Sequence, residues 1–371
     1  MQARMNDIFE PLKGLLPERY LNRECLQRFR YDDILFYRLK KDLKGYPRGT
    51  VFWQGGMLHG FQRIKRILNL AEGIRRHFPG RFYLEEKMDG YNVRIKRINS
   101  RLFAFTRGGF VCPFTMDRLD ELVRVEFFDR YPDYTLCGEV VGPENPYNSE
   151  PVDYIDEDIM FFAFDIKDRE GRSLPLTDRY SIFRETGIQA VRRWGPYTSS
   201  DIDMIKSVIT ELDQQGREGV VIKSADSEIE LKYVTLGSCI RDIKATAALF
   251  PELPGGFYMQ RLIRILAIVD EFGIKLDEET KLTILDSLLG PMMKTIEHLR
   301  RGDQLKEFFR IRVNRKETID ALIRHLKSIG MNARVVSVER AGRHYLVTFY
   351  RIYTRGARIM RKRLTGQGFY D

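Results

Sequence analysis

Lys87-Met88-Asp89-Gly90 is the stretch from which the fold of this chain can be read, because five further short signatures follow it in order. A K-x-D-G tetrapeptide alone is weakly specific, since its residues are common and recur by chance. The five signatures that give it weight are Thr106-Arg107-Gly108-Gly109, Cys137-Gly138-Glu139-Val140-Val141-Gly142, Phe161-Phe162-Ala163-Phe164-Asp165-Ile166, Glu218-Gly219-Val220-Val221-Ile222-Lys223 and Leu231-Lys232-Tyr233. The ordered series, more than any one motif, indicates the fold class.

This series resembles that of the covalent nucleotidyltransferases, the superfamily of polynucleotide ligases and mRNA capping enzymes. Within it, the chain is similar to ATP-dependent RNA ligases of the archaeal homodimeric kind, over motifs that span residues 85–233. The resemblance implies an α+β fold with a nucleotidyltransferase (ATP-grasp-like ligase) catalytic domain of two antiparallel sheets flanked by helices. It also implies that RNA 5′-phosphate and 3′-OH ends are joined through lysyl-AMP and RNA-adenylate intermediates.

Lys87 is the predicted nucleophile. An amine attacks phosphorus only when it is unprotonated, and the reference pKa of lysine is near ~10.4. Burial and neighbouring cations favour the neutral amine, and Lys223 and Lys232 could supply the positive surroundings while neutralising the α-phosphate. The small Gly90 is expected to let the backbone pass close to the nucleotide.

The resemblance implies further contacts around the nucleophile. Asn92, where DNA ligases carry arginine, and Arg107 resemble the RNA ligase 2 branch, in which these side chains contact the ribose and the terminal phosphate or 3′-OH. Arg94 is a further candidate for the nucleotide site, with a solvent-facing strand position as the alternative. The backbone of Glu86 would read the adenine amino group.

Three residues of the later motifs complete the expected site. Glu139 would accept a hydrogen bond from a ribose hydroxyl, because a carboxylate between apolar strand residues is otherwise costly to bury. Phe164 matches the aromatic side chain that stacks on adenine, although its apolar surroundings alone favour a core position. Glu218 suits a role in orienting phosphate or metal-bound water.

One departure stands out. Related ligases end the motif series with K-x-K, whereas Lys232-Tyr233-Val234 keeps only the first lysine. Lys232 is therefore expected to contact the α-phosphate alone or together with Lys223.

ATP and Mg²⁺ or Mn²⁺ are the implied cofactors. Departure of pyrophosphate builds negative charge that cations and a metal neutralise. The sequence has no dense carboxylate cage, so Glu218 is the one candidate metal ligand. None of the five histidines lies within a motif, and none is expected to be catalytic.

The composition predicts a cytoplasmic protein. No apolar run reaches the ~18 residues that span a bilayer, and the segment Met1 to Gly14 carries acidic residues without the apolar stretch of a signal peptide. The four cysteines lie far apart, without a C-x-x-C pair, and are expected to be buried or half-buried thiols rather than a zinc site or a disulfide frame.

The charge is concentrated at one end of the chain. Residues 310–371 carry 15 Lys and Arg against 4 Asp and Glu, a net charge of +11, so residues 1–309 sum to −1 within the total of +10. A basic excess confined to one segment favours contact with a polyanion. RNA is therefore the expected partner of the C-terminal segment.

Four regions are predicted: an N-terminal module (1–60), an adenylyltransferase catalytic domain (61–240), a helical module (241–303) and a basic C-terminal α+β domain (304–371). The chemical motifs are expected on strands or at their ends. Helices are predicted from Arg63 to Phe78, from Asp117 to Phe128, from Thr177 to Thr186, from Ser200 to Gln215, and as three pieces, Phe257 to Phe272, Asp277 to Leu289 and Pro291 to Leu299. Residues 304–371 read as β-α-β-β.

The helical module has more apolar surface than a block of ~45 residues can bury by itself. It must therefore dock on the catalytic domain or on a second copy, and a homodimer through residues 257–300 is predicted.

Two other readings stay open. An ATP-dependent DNA ligase or a capping-type nucleotidyltransferase would continue from the last motif into five short strands, whereas helices follow here, and Asn92 stands where DNA ligases carry arginine. A non-catalytic RNA-binding relic is disfavoured because Lys87, Glu139, Glu218 and Lys232 are all present.

Overall fold

The structure, a computed structural model, describes residues 7–150, 152 and 154–370. The first six residues of the predicted N-terminal module, which also begin the segment expected to lack a signal peptide, lie outside this range. The described chain forms two compact units. Unit 1 comprises the described residues up to Ile64, then Gly90–Val141 and Met160–Ala190, and unit 2 comprises Lys65–Asp89, the described residues of 142–159, and those from Val191 onward. The predicted catalytic segment, 61–240, thus contributes to both units.

The strands of the described residues, in chain order, are β1 (Leu26–Tyr31), β2 (Ile34–Leu39), β3 (Val51–Trp53), β4 (Gly56–Leu58), β5 (Lys65–Arg66), β6 (Phe82–Lys87), β7 (Tyr91–Ile98), β8 (Arg101–Thr106), β9 (Thr135–Val141), β10 (Met160–Lys167), β11 (Arg193–Tyr197), β12 (Gly219–Ser224), β13 (Glu230–Val234), β14 (Leu305–Val313), β15 (Asn332–Ala341) and β16 (His344–Tyr353).

The α-helices are α1 (Leu70–His77), α2 (Pro113–Asp117), α3 (Leu119–Leu122), α4 (Glu126–Arg130), α5 (Leu176–Thr186), α6 (Ile202–Gln214), α7 (Leu236–Ala247), α8 (Phe257–Phe272), α9 (Glu278–Arg301), α10 (Glu317–Ser328) and α11 (Arg355–Leu364). Short 3₁₀ turns cover Asp7–Leu12, Glu18–Tyr20 and Phe250–Glu252.

Unit 1 is built on two four-stranded antiparallel sheets, β1-β2-β3-β4 and β10-β9-β7-β8. The β7–β8 hairpin turns at Asn99 and Ser100, whose positive φ angles of 48° and 65° are typical of a two-residue hairpin turn. Aromatic side chains of β2, β3 and β8, among them Phe36 and Phe105, pack into one buried cluster. This shared core joins the N-terminal module to the motif-bearing sheet.

Unit 2 contains the five-stranded sheet β11-β6-β12-β13-β5. The sheet is mixed rather than wholly antiparallel, because β5 runs parallel to β13. Its core includes Leu84, Val220 and Ile222 from the strands, Ile205 and Ile209 from α6, and apolar residues of α7 and α8. This core holds the strand that ends at Lys87.

The helix predicted to begin at Arg63 is shorter than expected. Lys65 and Arg66 pair with β13 instead, and α1 begins only after Asn69, whose side chain accepts a hydrogen bond from the Glu72 amide. Asparagine is a favoured N-cap. The apolar spacing between Ile64 and Leu68 was therefore misleading.

Two other helix predictions were wrong. The segment predicted as one helix, Asp117 to Phe128, forms parts of α2, α3 and α4, because Val123 adopts an extended conformation that interrupts it. The pieces predicted on either side of Gly290 are one continuous helix, α9, with Pro291 inside it. Ile284 and Leu288 before the proline pack on the core of unit 2, and Thr295 and Leu299 beyond it are buried, so packing on both sides holds the helix together.

The C-terminal domain has the predicted β-α-β-β order, as β14, α10, β15 and β16, and α11 follows. Its three strands form the sheet β14-β16-β15. It packs on the 142–159 segment through Tyr147, whose hydroxyl lies 2.9 Å from Nε2 of the buried His325, and through Arg312, which donates to Glu144 at 2.9 Å. The domain is thus tied to the rest of unit 2.

All four cysteines are buried and none is disulfide-bonded, as predicted. In the part of the chain that the structure describes, no helix combines the length and the apolar character needed to cross a membrane.

Candidate active site

Lys87 is the last residue of β6, in the interior of the five-stranded sheet of unit 2. Side chains alternate between the two faces of a strand, so Glu85 and Lys87 point to the same face. The register aligns Glu85 with Val221 on β12 and Val221 with Lys232 on β13. One face therefore carries Glu85, Lys87, Lys223 and Lys232.

Lys87 is paired with Glu218. The Nζ atom of Lys87 lies 2.5 Å from Oε2 of Glu218, and the two side chains are 24% and 16% exposed. The pair is thus largely shielded yet reachable by a small molecule. Glu218 precedes β12 directly, which is why two residues 131 positions apart in sequence meet here.

Asp89 adds a second carboxyl group to this place. Burial, reinforced by the charge of Glu218, raises the pKa of Asp89 to about 6, although the Lys87 ammonium opposes the shift. Two carboxyl groups and one lysine therefore share a partly buried environment.

Lys223 is buried rather than open to a ligand. Its Nζ atom lies 2.6 Å from Oε2 of Glu85 and 3.5 Å from Oε1 of Glu230. Two carboxylates balance its charge, so the arrangement does not support the expectation that Lys223 adds net positive charge beside Lys87. A structural role inside the sheet explains its position.

Arg66 is a residue that the sequence did not single out. It lies opposite Lys232 in the parallel β5–β13 register, on the face that carries Lys87. Burial and the charge of Arg264 lower its pKa, and its buried Nη1 makes no hydrogen bond within the described residues. The helical spacing around Ile64 and the two-residue length of β5 concealed it.

Val234 occupies the position of the second lysine in the K-x-K motif of related ligases. The register aligns Lys87 with Gly219 and Gly219 with Val234, so the second residue of the usual lysine pair would lie in line with the nucleophile. Here that position is apolar. Arg66, beside Lys232, is the guanidinium available on the same face.

Glu86 faces away from Lys87 and is held by two arginines. Its carboxylate accepts from Nε of Arg192 at 2.7 Å and lies 3.3 Å from Nη1 of Arg217. Arg217 stacks on the Tyr154 ring at 3.8 Å, and the Tyr154 hydroxyl accepts from the Asp89 amide at 3.3 Å. This chain of contacts fixes the loop after Lys87. Sequence reasoning missed Tyr154 and Arg217, for which no motif gave a signal.

In unit 1, Asn92 on β7 is paired in register with Glu139 on β9. Directly opposed residues share a face and lie close together, so the two predicted ribose contacts are neighbours. The Oδ1 atom of Asn92 is buried and makes no hydrogen bond within the described residues. An unsatisfied buried oxygen is costly unless a ligand donates to it.

Phe164 is half-buried in an irregularity of the β9–β10 ladder, with its ring 5.8 Å from that of Phe61. Arg107 follows β8 and is exposed, with no ion pair to any residue that the structure describes. Arg107 can therefore meet a ligand without losing an ion pair, and Phe164 keeps part of its surface open to solvent.

Arg94 has a different place from the one predicted. It is fully buried, and it donates to the carbonyl oxygens of Gly49 and Thr106 at 2.9 Å and to that of His59. A nucleotide contact would require these bonds to break. Arg94 instead ties the N-terminal module to β7 and β8, so neither the nucleotide role nor the solvent-facing alternative fits.

Gly90, the glycine of the K-x-D-G motif, lies against β9. A Cβ atom at this position would lie 2.2 Å from the carbonyl oxygen of Val140 and 3.0 Å from the Val141 side chain. The close approach of β9 therefore requires a glycine at this position.

The donor set restricts how a metal could bind. Among the described residues, no group of three or more His, Cys, Asp or Glu could hold an ion. Glu218 and Asp89 supply two neighbouring carboxyl groups. Mg²⁺ commonly keeps several waters and takes one or two carboxylates together with substrate phosphates. The residues therefore fit a metal that arrives with the nucleotide.

Comparison with known families agrees with this geometry. Residues 80–235 match a family model described as RNA ligase, and residues 245–367 match one described as the ligase Pab1020 C-terminal region. The first match contains all six predicted motifs. The fold and the motif-bearing face thus define a polynucleotide ligase.

Solved structures of similar proteins extend over the whole chain. An archaeal ATP-dependent RNA ligase, solved as form 1 and form 2, is 30% identical with a TM-score of 0.86, and 99% of each chain is covered. A protein from Aquifex aeolicus, provisionally described as an ATP-dependent DNA ligase, is 29% identical with a TM-score of 0.88 over 95% of this chain and 99% of its own. An uncharacterized protein of Methanocaldococcus jannaschii is 29% identical over 91% of this chain and 88% of its own. The chain belongs to the ATP-dependent RNA ligase family.

Proposed function

We propose that Lys87 carries AMP during RNA sealing. The Nζ atom of Lys87 attacks the α-phosphorus of ATP, a P–N bond forms, and the bond to the β-phosphate oxygen breaks to release pyrophosphate. The ammonium must lose a proton first, and Glu218, at 2.5 Å, is positioned to accept it. This pair is the observation that carries the proposal.

The two later steps use the same adenylate. An oxygen of the RNA 5′-phosphate attacks the phosphorus of lysyl-AMP, and the P–N bond breaks to give RNA-adenylate and free Lys87. The 3′-OH of the second RNA end then attacks the 5′-phosphate, AMP leaves, and a phosphodiester forms. ATP and RNA as substrates favour a cytoplasmic location.

Arg66 and Lys232 are the proposed cations for the phosphates. They are register neighbours on the face of Lys87, and the buried Nη1 of Arg66 has a donor to offer. A guanidinium binds phosphate through two parallel hydrogen bonds. Arg66 thereby supplies the second cation, which related ligases carry as a lysine at the position of Val234.

The unit 1 residues are proposed to recognise the nucleoside and the RNA end. Asn92 and Glu139 offer an amide oxygen and a carboxylate to ribose hydroxyls. Phe164 would stack on adenine, and the exposed Arg107 would contact the terminal phosphate or 3′-OH. The backbone of Glu86, whose side chain is occupied by arginines, remains the proposed reader of the adenine amino group.

A Mg²⁺ or Mn²⁺ ion is proposed to accompany ATP, with Glu218 and Asp89 as its protein neighbours. When bound, it would neutralise charge that develops on the departing pyrophosphate. Glu218 can approach the metal only when it is no longer paired with Lys87. Metal binding and the loss of the Lys87 proton are therefore linked.

A DNA-joining activity is the second candidate, because the Aquifex aeolicus protein carries a DNA ligase description. Asn92 in place of arginine and the helices that follow the last motif favour RNA. Sealing of matched RNA and DNA ends would separate the two activities.

A homodimer is proposed to form through α8 and α9. Apolar side chains on the outer face of both helices are between 44% and 64% exposed, namely Met259, Ile263, Leu266, Leu282, Leu285, Leu289 and Met293. Their spacing places each set along one stripe of its helix. The opposite side of α8, with Ile265 and Ile268, is already buried in the core of unit 2. A second copy would cover the outer stripes.

Labelled ATP tests the proposed chemistry. The wild-type chain should acquire covalent AMP from ATP in preference to GTP and should seal 5′-phosphorylated RNA. Lys87→Ala should acquire no label and seal no unmodified RNA, while retaining part of the sealing of RNA that is already 5′-adenylated. A normal yield of adduct in this variant would show that another residue is the nucleophile.

A further inference from the structure

The C-terminal sheet, β14-β16-β15, has one covered and one open face. Phe309 and Ile311 on β14 and Val347 and Phe349 on β16 are buried on the first face, together with Ile319, Leu322 and Leu326 of α10. Side chains at alternate positions of β14 point the other way and include exposed ones. Apart from the buried Ile352 and from Arg312, which contacts Glu144, this face is open and is therefore available to a ligand.

An aromatic pair occupies the open face. Phe308 is in register with Tyr350, their ring centroids lie 5.7 Å apart, and the Phe308 side chain is 56% exposed. A phenylalanine in a strand is normally turned inward. Phe309, the next residue, already serves the core, so Phe308 is not needed there.

Basic side chains surround this pair. The Nζ atom of Lys306 lies 4.6 Å from the centroid of Tyr350, and Arg334 is in register with Tyr350 on its other side. Arg310 is the next residue on the same face of β14. Arg310 and Arg334 are exposed and form no ion pair with any residue in the part of the chain that the structure describes. The face thus combines open rings with uncompensated positive charge.

We propose that this face, defined by Lys306, Phe308, Arg310, Arg334 and Tyr350, binds single-stranded RNA by stacking bases on Phe308 and Tyr350. Every base presents a π-face, and the sugar-phosphate backbone carries the negative charge that the lysine and arginines complement. Bases in a duplex are stacked on one another, so unpaired nucleotides near an RNA end are the fitting ligand. The inference rests on the proposed RNA-sealing function and adds a holding site for the substrate strand.

Alanine substitution of each ring in the full-length chain tests the proposal. The probe is a fluorescein-labelled, 5′-phosphorylated single-stranded RNA of mixed sequence, followed by anisotropy. Phe308→Ala and Tyr350→Ala should each weaken binding on the order of 10-fold. The salt dependence of binding should keep its slope, because no charge is removed. Phe369→Ala is the matched control, since Phe369 is also 56% exposed and stacks with Arg363 at 4.0 Å, but lies outside the sheet. It should leave binding unchanged.

Phe308→Trp provides a direct readout of stacking. Its indole should retain binding, and its fluorescence should be quenched by single-stranded RNA but not by a duplex of equal length. Wild-type affinity in both alanine variants, or an indole that is not quenched, would overturn the proposal. So would an equal loss of affinity in Phe369→Ala.

Covalent labelling with ATP separates this inference from the proposed function. Phe308→Ala and Tyr350→Ala should form lysyl-AMP in wild-type yield. If the wild-type chain forms no lysyl-AMP while the alanine variants still lose RNA affinity, the sealing proposal fails and the stacking face stands. If the wild-type chain forms lysyl-AMP and the alanine variants bind RNA with unchanged affinity, the sealing proposal stands and the stacking face is wrong.

Discussion

At the scale of single residues, Arg66 gives a sharp test of how the phosphates are bound. Charge-assisted hydrogen bonds contribute about 1.5–3 kcal/mol, so Arg66→Ala should slow lysyl-AMP formation by about 10- to 100-fold. Arg66→Lys should restore part of the rate. Lys65→Ala is the matched control because Lys65 lies on the same strand, is exposed and points to the other face. Pre-steady-state labelling measures all three, and equal rates in wild type and Arg66→Ala would exclude the contact.

Asp89 gives a prediction for the pH dependence of stability. A carboxyl group with a raised pKa stabilises the fold below its ordinary value of 3.8 and loses that contribution as the pH rises through about 6. At pH 7.5 the buried carboxylate therefore costs up to about 3 kcal/mol. Asp89→Asn should raise the free energy of unfolding at pH 7.5, and the gain should disappear near pH 4.

Urea unfolding at both pH values checks the Asp89 prediction. Asp203→Asn is the control, because Asp203 lies exposed on α6 and its substitution should change little at either pH. A gain in Asp89→Asn that is the same at pH 4 and pH 7.5 would rule out the titration of Asp89 as its cause.

Single residues also show what the sequence can and cannot give. Lys87 and Glu218 were both singled out by motifs, but their pairing is a tertiary contact across 131 positions that no local pattern encodes. Arg94 shows the opposite limit: alternation places it on one of the two faces of β7, and only the carbonyl groups around it reveal that it is a buried anchor. Motifs identify chemical types, whereas packing decides which of them reach a ligand.

At the scale of elements, sequence patterns predicted a helix or strand correctly where one buried face imposes a regular spacing of apolar residues. α8 and the β-α-β-β order of the C-terminal domain follow from such patterns. They failed where tertiary contacts override local preference. The sheet captures Lys65 and Arg66 as β5, and α9 runs through Pro291 because both of its halves are packed.

The outer stripes of α8 and α9 lead to a prediction at this scale. Leu266→Asp combined with Leu285→Asp would place charges in a covered apolar interface, and desolvating them is costly. The double variant should be a monomer by light scattering at micromolar concentration, whereas the wild-type chain should be a dimer.

Met204→Asp is the control for the dimer prediction. Met204 is 60% exposed, as Leu266 is at 61%, but it lies on α6 outside the stripes. This variant should keep the mass of the wild-type chain. If the wild-type chain is a monomer, the dimer prediction is wrong. The exposed apolar stripes of α8 and α9 would then need another partner.

At the scale of the whole molecule, part of the basic excess of residues 310–371 lies on the last helix, α11. Arg355, Arg358 and Lys362 are exposed and spaced along one side of α11. Phosphate contacts add affinity with little sequence preference. Replacing all three with Gln should weaken RNA binding, and each lost contact should lower the log–log salt slope by about 0.7 for a single strand.

The control for this prediction removes the same net charge elsewhere. Arg28, Lys41 and Lys44 are exposed in the N-terminal module, and their replacement with Gln also lowers the net charge from +10 to +7. If total charge governed RNA binding, both triple variants would show the same change in slope. If α11 itself contacts the RNA, only the α11 variant should show a lower salt slope. Both triple variants should form lysyl-AMP at the wild-type rate. Equal slopes in the α11 variant and the wild-type chain would mean that the basic helix does not contact the RNA backbone.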